Sequence, residues 1–184
     1  MTSKKYSGYL LIANPGNPDD ELARSVMLVI NHNSTTAVAL QINNIAEDIS
    51  LMAVGNNLGI DFPFYDNLYY GGNINPNKIN IVHSSDWAGF STINLNEHIS
   101  VTNDVSVLTA IAEDLGPKYY RACAGYWLWE NGRLDNQLDP RSREEPWKWE
   151  IAPATVSTVF SGSGYEQWQE CLAKSARFQV SEWF

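Results

Sequence analysis

The residues of this chain that could carry chemistry are three histidines, two cysteines and a few glycine-framed turns. His32, His83 and His98 stand far apart, with no His-x-x-x-His and no Cys-x-x-Cys. The spacing that lets one helix face or one loop hold a metal is missing, so no metal centre is expected. Gly162-Ser163-Gly164 lacks the Gly-x-Ser-x-Gly spacing of a nucleophile elbow and is better placed to open a helix. The same glycines lack the third Gly and the preceding buried strand of a dinucleotide loop, and no Walker lysine occurs, so no cofactor is expected. Cys123 lies in the apolar stretch Arg121-Ala122-Cys123-Ala124, where a buried, inert thiol is expected. Cys171 completes no motif with it, so both thiols are expected to be reduced and neither catalytic.

One cluster is richer: Gly125-Tyr126-Trp127-Leu128-Trp129-Glu130-Asn131-Gly132-Arg133-Leu134-Asp135-Asn136-Gln137-Leu138. Leu134 and Leu138 are one helical turn apart, so the stretch predicts a strand, an aromatic turn and a short helix. The helix amides and the Gly132 backbone could then meet an anion or a carbonyl. The competing reading is aromatic packing on the core, because Trp contributes large burial wherever it fits.

Elements must position these residues. Gly8–Ala13 predicts a strand closed by Asn14-Pro15-Gly16 and Asn17-Pro18-Asp19, and Asp19–Arg24 a single acidic helical turn. Ser25–Asn31 and Thr36–Ile42 predict a hairpin across His32–Thr35. Asp48–Leu58 reads as a short helix ending at Gly55 or Gly59. Asn67–Tyr70, Lys78–His83 and Ile99–Thr102 read as strands, separated by Gly71-Gly72 and by a polar stretch around Trp87–Asn96. Val105, Leu108, Ile111, Ala112 and Leu115 form a helical stripe, capped by Asn103 or Asp104 and stopped by Gly116-Pro117. Tyr119–Ala124 resumes as strand. A last helix is expected from Tyr165 to Ala176, with capping-box spacing at Ser163–Glu166 and an apolar stripe of Trp168, Leu172 and Ala176. Strands precede, separate and follow helices without a βαβ rhythm, which predicts an α+β fold with a largely antiparallel sheet.

Whole-chain quantities narrow the function classes. The 184 residues favour one domain over 1–184, with residues 1–7 as a flexible tail. Lys and Arg number 12 against 21 Asp and Glu, a net charge of −9, so a polyanion such as DNA meets repulsion, and direct nucleic-acid binding is not expected. No apolar run approaches the roughly 20 residues that cross a bilayer. Met1–Ser7 lacks an apolar signal core, and the sparse Cys predict a reducing, cytoplasmic setting with no membrane partner.

Several of these segments together resemble the AlgH/YqgE family. Gly8-Tyr9-Leu10-Leu11-Ile12-Ala13-Asn14-Pro15, then Asp19 or Asp20, Arg24-Ser25-Val26 and His32 are similar to its opening signature. Leu40-Gln41-Ile42-Asn43, Tyr70-Gly71-Gly72 and Val82-His83 fall where that family has a strand-end Asn, a Gly-Gly-Pro and a Leu-His pair. Gly125–Trp129 through Gly132-Arg133-Leu134-Asp135 resembles its Gly-Tyr-x-x-Trp-x-x-Gly-Gln-Leu-Glu stretch, and Trp147–Ile151, Phe160 and Trp168 follow its tail. Departures are Thr36 and Ala39 for glycines, Asn73 for the Pro, Arg133 for Gln, and Gln137 where an acidic residue is common.

The resemblance implies a mixed, largely antiparallel, bifurcated sheet curled into a pseudo-barrel with flanking helices. Members are often described as transcriptional regulators, yet this acidic chain shows no helix-turn-helix pattern and no basic recognition helix. The expected function is a non-catalytic, cytosolic binding or regulatory protein for a small polar ligand or a protein partner. Its expected face gathers Asn14, Arg24, His32, Asn43, Gly71, Gly72, His83, Tyr126, Trp129 and Gly132, in which turn glycines expose amides and Arg with His offers donors beside aromatic walls. Two alternatives stand beside it: a hydrolase-like enzyme using His83 or His32 as base, and an acidic module that docks on a basic protein surface.

Overall fold

The computed structural model describes residues 5–17 and 21–181, apart from the side chain of Phe178. The elements in chain order are β1 (Tyr9–Ala13), β2 (Val26–His32), β3 (Ala37–Gln41), β4 (Ile45–Ser50), α1 (Leu51–Asn57), β5 (Asn67–Tyr70), β6 (Ile74–Ser84), β7 (Ile93–Asn94), β8 (Ile99–Thr102), α2 (Ser106–Ala112), β9 (Tyr120–Trp129), α3 (Arg133–Leu138), β10 (Trp149–Pro153), α4 (Val156–Phe160) and α5 (Gly164–Ser181). Ten strands form a sheet of order β10-β1-β2-β3-β9-β6-β8-β7, with β4 and β5 branching from β9. Every pairing is antiparallel except β5 with β9. The architecture is therefore α+β, an antiparallel sheet curled into a half-barrel and flanked by helices, as the sequence led us to expect.

Both faces of β1 and β2 are covered. Leu10, Ile12, Val26 and Leu28 face a core closed by Trp168 and Cys171 of α5. Leu11, Ala13, Met27 and Val29 face a second core, with Trp129, Leu134 and Trp149. Burial on two faces is why these strands read as unbroken apolar runs rather than alternating ones. A third core under α1 and α2 joins Leu51, Phe62 and Leu68 to Val107, Leu108 and Ile111.

The sheet forks at β9. One edge of this strand gives Ala122–Ala124 to β5 and Trp127–Trp129 to β3. Gly125, with φ 73°, makes the break between the two stretches. Gly71 and Gly72 lie at the same fork, buried: the Gly71 N–H donates to the Ala124 carbonyl, and the Gly71 carbonyl accepts from the Gln41 N–H. A Cβ on Gly72 would lie 2.1 Å from the Tyr126 carbonyl carbon, so this glycine is required by backbone approach.

Several local expectations are corrected. Asp48–Ser50 belong to β4 rather than to a helix, and Ser50 then caps α1 by accepting the Ala53 N–H. Gly55 lies inside α1 against the Phe62 ring, and Gly59, at φ 73°, follows the helix end. The aromatic segment Tyr126–Trp129 is not a turn but the last part of β9; the turn comes at Asn131 and Gly132, both left-handed. Leu115 lies beyond the end of α2 and is exposed, since Asp114 turns left-handed before it. In α5 the inward face carries Gln167, Trp168, Cys171 and Ser175, while Ala176 is exposed. The reciprocal capping box is at Thr155 and Thr158 of α4, a helix whose β-branched sequence hid it. Of the expected flexible tail, Lys5–Ser7 are held: Lys5 pairs with Asp135 at 2.8 Å and Tyr6 stacks on His32. Residues 1–4, and with 18–20 the expected Asp19 and Asp20 of the acidic turn, lie outside the described residues.

Candidate functional site

The expected face separates into three places. His32 and His83 cannot share a site, because the β-ladder holds them apart. His83 pairs with Tyr120 at one end of β9, and His32, through Ala37, lies level with Trp129 at the other. The nine residue steps from Tyr120 to Trp129 span roughly 30 Å of strand.

His83 is fully buried. Its Nδ1 lies 2.8 Å from the Ser84 carbonyl, which makes Nδ1 the protonated nitrogen, and its Nε2 has no partner among the described residues. Trp87 packs edge-on against the ring. Burial pushes its pKa below the usual 6.5, outweighing the Ser84 carbonyl and Asp86, which favour the charged form.

The second place lies at α3. His32 is buried, stacked on Tyr6 at 5.4 Å, with Nε2 3.7 Å from Asp135. Burial lowers its pKa too, against the opposing pull of Asp135. Trp129 lies here, edge-on to Trp149, and both indole N–H groups donate to the single Oε1 of Gln137, at 3.0 and 2.9 Å. The Trp129 donor is thus spent in the core. Gly132, at φ 70°, has no atom closer than 4.0 Å to where a Cβ would stand, so it answers a backbone need and not a crowded one. Asn14 ties the end of β1 to the segment before β10, donating through Nδ2 to the Trp147 carbonyl at 2.7 Å.

The third place brings Arg24 and Asn43 together, with Gly71, Gly72 and Tyr126 behind them at the fork. Asn43 is buried and fully used. Its Oδ1 accepts from the Val26 N–H, its Nδ2 donates to the Arg24 and Gly164 carbonyls, and its own carbonyl accepts the Gly164 N–H. One side chain therefore bolts the turn before β2 and the start of α5 to the end of β3. Arg24 is held left-handed, at φ 59°, with its guanidinium 5.2 Å above the Tyr165 ring. These groups line a cleft of about 300 Å³ together with Glu21, Gln41 and Asn44. Gln41 is only 7% exposed, and its side-chain amide, which solvent still reaches, is engaged by no hydrogen bond among the described residues.

Sequence reasoning missed Gln41, since it was read as part of a strand end, and missed Arg121, read as part of an apolar strand. Arg121 is buried, and among the described residues no carboxylate pairs with it. Its Nη1 donates to the Ile42 carbonyl and, at 2.9 Å, to Gln167 Oε1; its Nη2 donates to the Gly162 carbonyl, and its guanidinium stacks on Tyr69. A lone Arg in an apolar run was the available signal. It props the loop before α5 from beneath.

No Ser, Thr or Cys side chain hydrogen-bonds either buried imidazole among the described residues. Burial pushes the Cys123 thiol up to about 12 and the Cys171 thiol to about 11, so neither supplies a thiolate near neutral pH. Among the described residues no group of His, Cys, Asp or Glu is placed to hold a metal ion, and no helix is long and apolar enough to cross a membrane.

A forked antiparallel half-barrel with helices on its faces and a polar cleft where β3 meets α5 defines the class of the molecule. Residues 10–177 match the AlgH-like family, DUF179, and the chain belongs to that family. It is 33% identical over 168 residues to a UPF0301 protein of Methylococcus capsulatus, covering 90% of this chain and 89% of that one. It is 27% identical to a UPF0301 protein of Sphingopyxis alaskensis, over 92% and 89% of the two chains. The solution structure of AlgH from Pseudomonas aeruginosa superimposes with a TM-score of 0.76 at 27% identity, over 95% and 91% of the two chains. A crystal structure from Corynebacterium diphtheriae shares the fold, with a TM-score of 0.68 at 22% identity over 93% and 87%.

Proposed function

We propose that this AlgH-like chain is a non-catalytic cytoplasmic binding protein that seats a small polar ligand between Arg24, Gln41 and the start of α5. The observation that carries the reading is Gln41, a residue only 7% exposed that lines an open cleft and whose side-chain amide, still reached by solvent, has no hydrogen-bond partner among the described residues. A ligand would replace water on this amide, and the net gain of such an exchange is about 0.5–1.5 kcal/mol per hydrogen bond. A regulatory role follows naturally from the surroundings, because Asn43 joins the cleft wall to both the β2 entry and α5. The hydrolase alternative loses support, since both candidate bases are buried and neither has a nucleophile in hydrogen-bonding reach. No observation localises a basic-surface partner for the interaction-module alternative.

The test is a fragment library of small polar metabolites screened against the 15N-labelled protein. The reading expects saturable shifts concentrated at residues 41–44 and 164–165. Binding that maps instead to the His83 or Trp129 regions, or an absence of any shift in the cleft, would reject it.

A further inference from the structure

The cleft lined by Arg24 and Gln41 has an electrostatic sense that the binding reading leaves open. The Arg24 side chain is exposed and has no ion-pair partner among the described residues. Its guanidinium lies over the face of the Tyr165 ring. Stacking occupies the flat face of a guanidinium and leaves its in-plane N–H donors free, the edge that pairs with an oxyanion through two parallel hydrogen bonds. The cleft is also bounded by Gly164 and Tyr165, at the N-terminus of the 18-residue α5. The Gly164 amide is used by Asn43, while no hydrogen bond engages the Tyr165 and Glu166 amides among the described residues. An N-terminus with unused amides favours negative charge. Gln41, a residue only 7% exposed, lines the same space with a side-chain amide that has no hydrogen-bond partner among the described residues. Two carboxylates oppose: Glu21 on the cleft wall, and exposed Glu166 in the first turn of α5. They set a limit on charge and size, disfavouring a polyanion.

We propose that the ligand of this cleft presents one small oxyanion, a carboxylate or a phosphate group, to the Arg24 guanidinium and the α5 N-terminus, with a neighbouring polar group on the Gln41 amide. The inference rests on the cleft being the binding site.

The experiment titrates the 15N-labelled protein, at constant ionic strength, with three probes: L-lactate, inorganic phosphate, and lactamide as the uncharged analogue of lactate. Lactate or phosphate should move the Gln41 side-chain amide and the Tyr165 amide saturably, in the millimolar range that so few atoms can reach. Lactamide should bind at least about tenfold more weakly, the effect of losing a charge-assisted pair. Whichever of lactate and phosphate binds more tightly identifies the source of the oxyanion. Arg24→Gln, at an exposed position, should weaken binding about tenfold or more with the rest of the spectrum unchanged. Gln41→Met should weaken lactate while preserving the Arg24 dependence. Lactamide binding as tightly as lactate would overturn the oxyanion assignment and leave the cleft as the binding site. Shifts that survive Arg24→Gln, or that scatter over the surface, would overturn it as well. Silence from all three probes also overturns the assignment, and the metabolite library then decides the fate of the cleft on its own.

Discussion

Two glycines of the expected face illustrate how different the demand on one residue type can be. A Cβ on Gly72 would meet the Tyr126 backbone at 2.1 Å, and only separation of β9 from the fork could relieve it. Gly72→Ala should therefore cost more than about 3 kcal/mol or prevent folding, because backbone cannot yield as a side chain can. Gly132 has open space and pays only for its left-handed φ of 70°. Gly132→Ala should cost about 1 kcal/mol. Urea denaturation of the two variants checks the contrast; equal losses would contradict it. Arg24 is the opposite case, a bulky side chain kept at a positive φ of 59°. Arg24→Gly should gain up to about 1 kcal/mol in stability by removing that strain while weakening any ligand that the guanidinium holds. A variant that binds as well as the parent protein would remove Arg24 from the site.

At the scale of elements, the start of α5 is fixed by a strand-end side chain. Asn43 satisfies the Val26 N–H and the Arg24 and Gly164 carbonyls at 2.9, 2.9 and 3.0 Å. Asn43→Ala leaves the buried Val26 donor and the Arg24 carbonyl unpaired and cuts the tie to Gly164, and should destabilise by roughly 2–4 kcal/mol. Hydrogen exchange should show the loss first at β2 and in the first turn of α5, the elements it joins. Uniformly faster exchange, with no local pattern, would deny Asn43 this role. Arg121 and Gln167 form the second support of the same helix start, from inside the core.

For the whole molecule, the buried histidines set the response to acid. His32 and His83 both have folded pKa values below the usual 6.5, so the unfolded chain binds more protons just below that pH. Their contribution to stability is complete above 6.5 and is lost as pH falls through it. The carboxylates of Asp86 and Glu145, lowered from 3.8 and 4.5, lose their contribution only at more acid pH. The urea midpoint should thus fall between about pH 7.5 and 5.5, and His83→Gln should flatten that slope. A flat profile in the parent protein would show that neither imidazole is kept neutral by burial. The net charge of −9 predicts no salt-sensitive binding to a random DNA duplex near physiological ionic strength. Submicromolar binding in a fluorescence-anisotropy titration would contradict it.

The local apolar pattern was enough to define β1, the β2–β3 hairpin, β5 and the helices α2, α3 and α5, because each buries its own face and the burial is written into nearby residues. The order of the motifs along the chain was enough for the family, while the left-handed φ of Gly132 came only from the structure. The apolar pattern did not reveal β4, β10 or α4, whose residues lack a clean period and take their form from what they pack against. The ten residues of the expected face were chosen by type, and only the tertiary structure sorted them. Gly71-Gly72 looked like a turn offering amides, but the parallel pairing of β5 with β9 buries both glycines and spends the Gly71 amide. Trp129 looked like a wall of a site, and its indole proved to be bound to Gln137. Gln41 carried no local signal of its role, and Arg121 only that of a lone Arg in an apolar run. Which partner strand a residue meets, and at what register, depends on contacts between segments distant in sequence, and spacing within one segment holds no record of them.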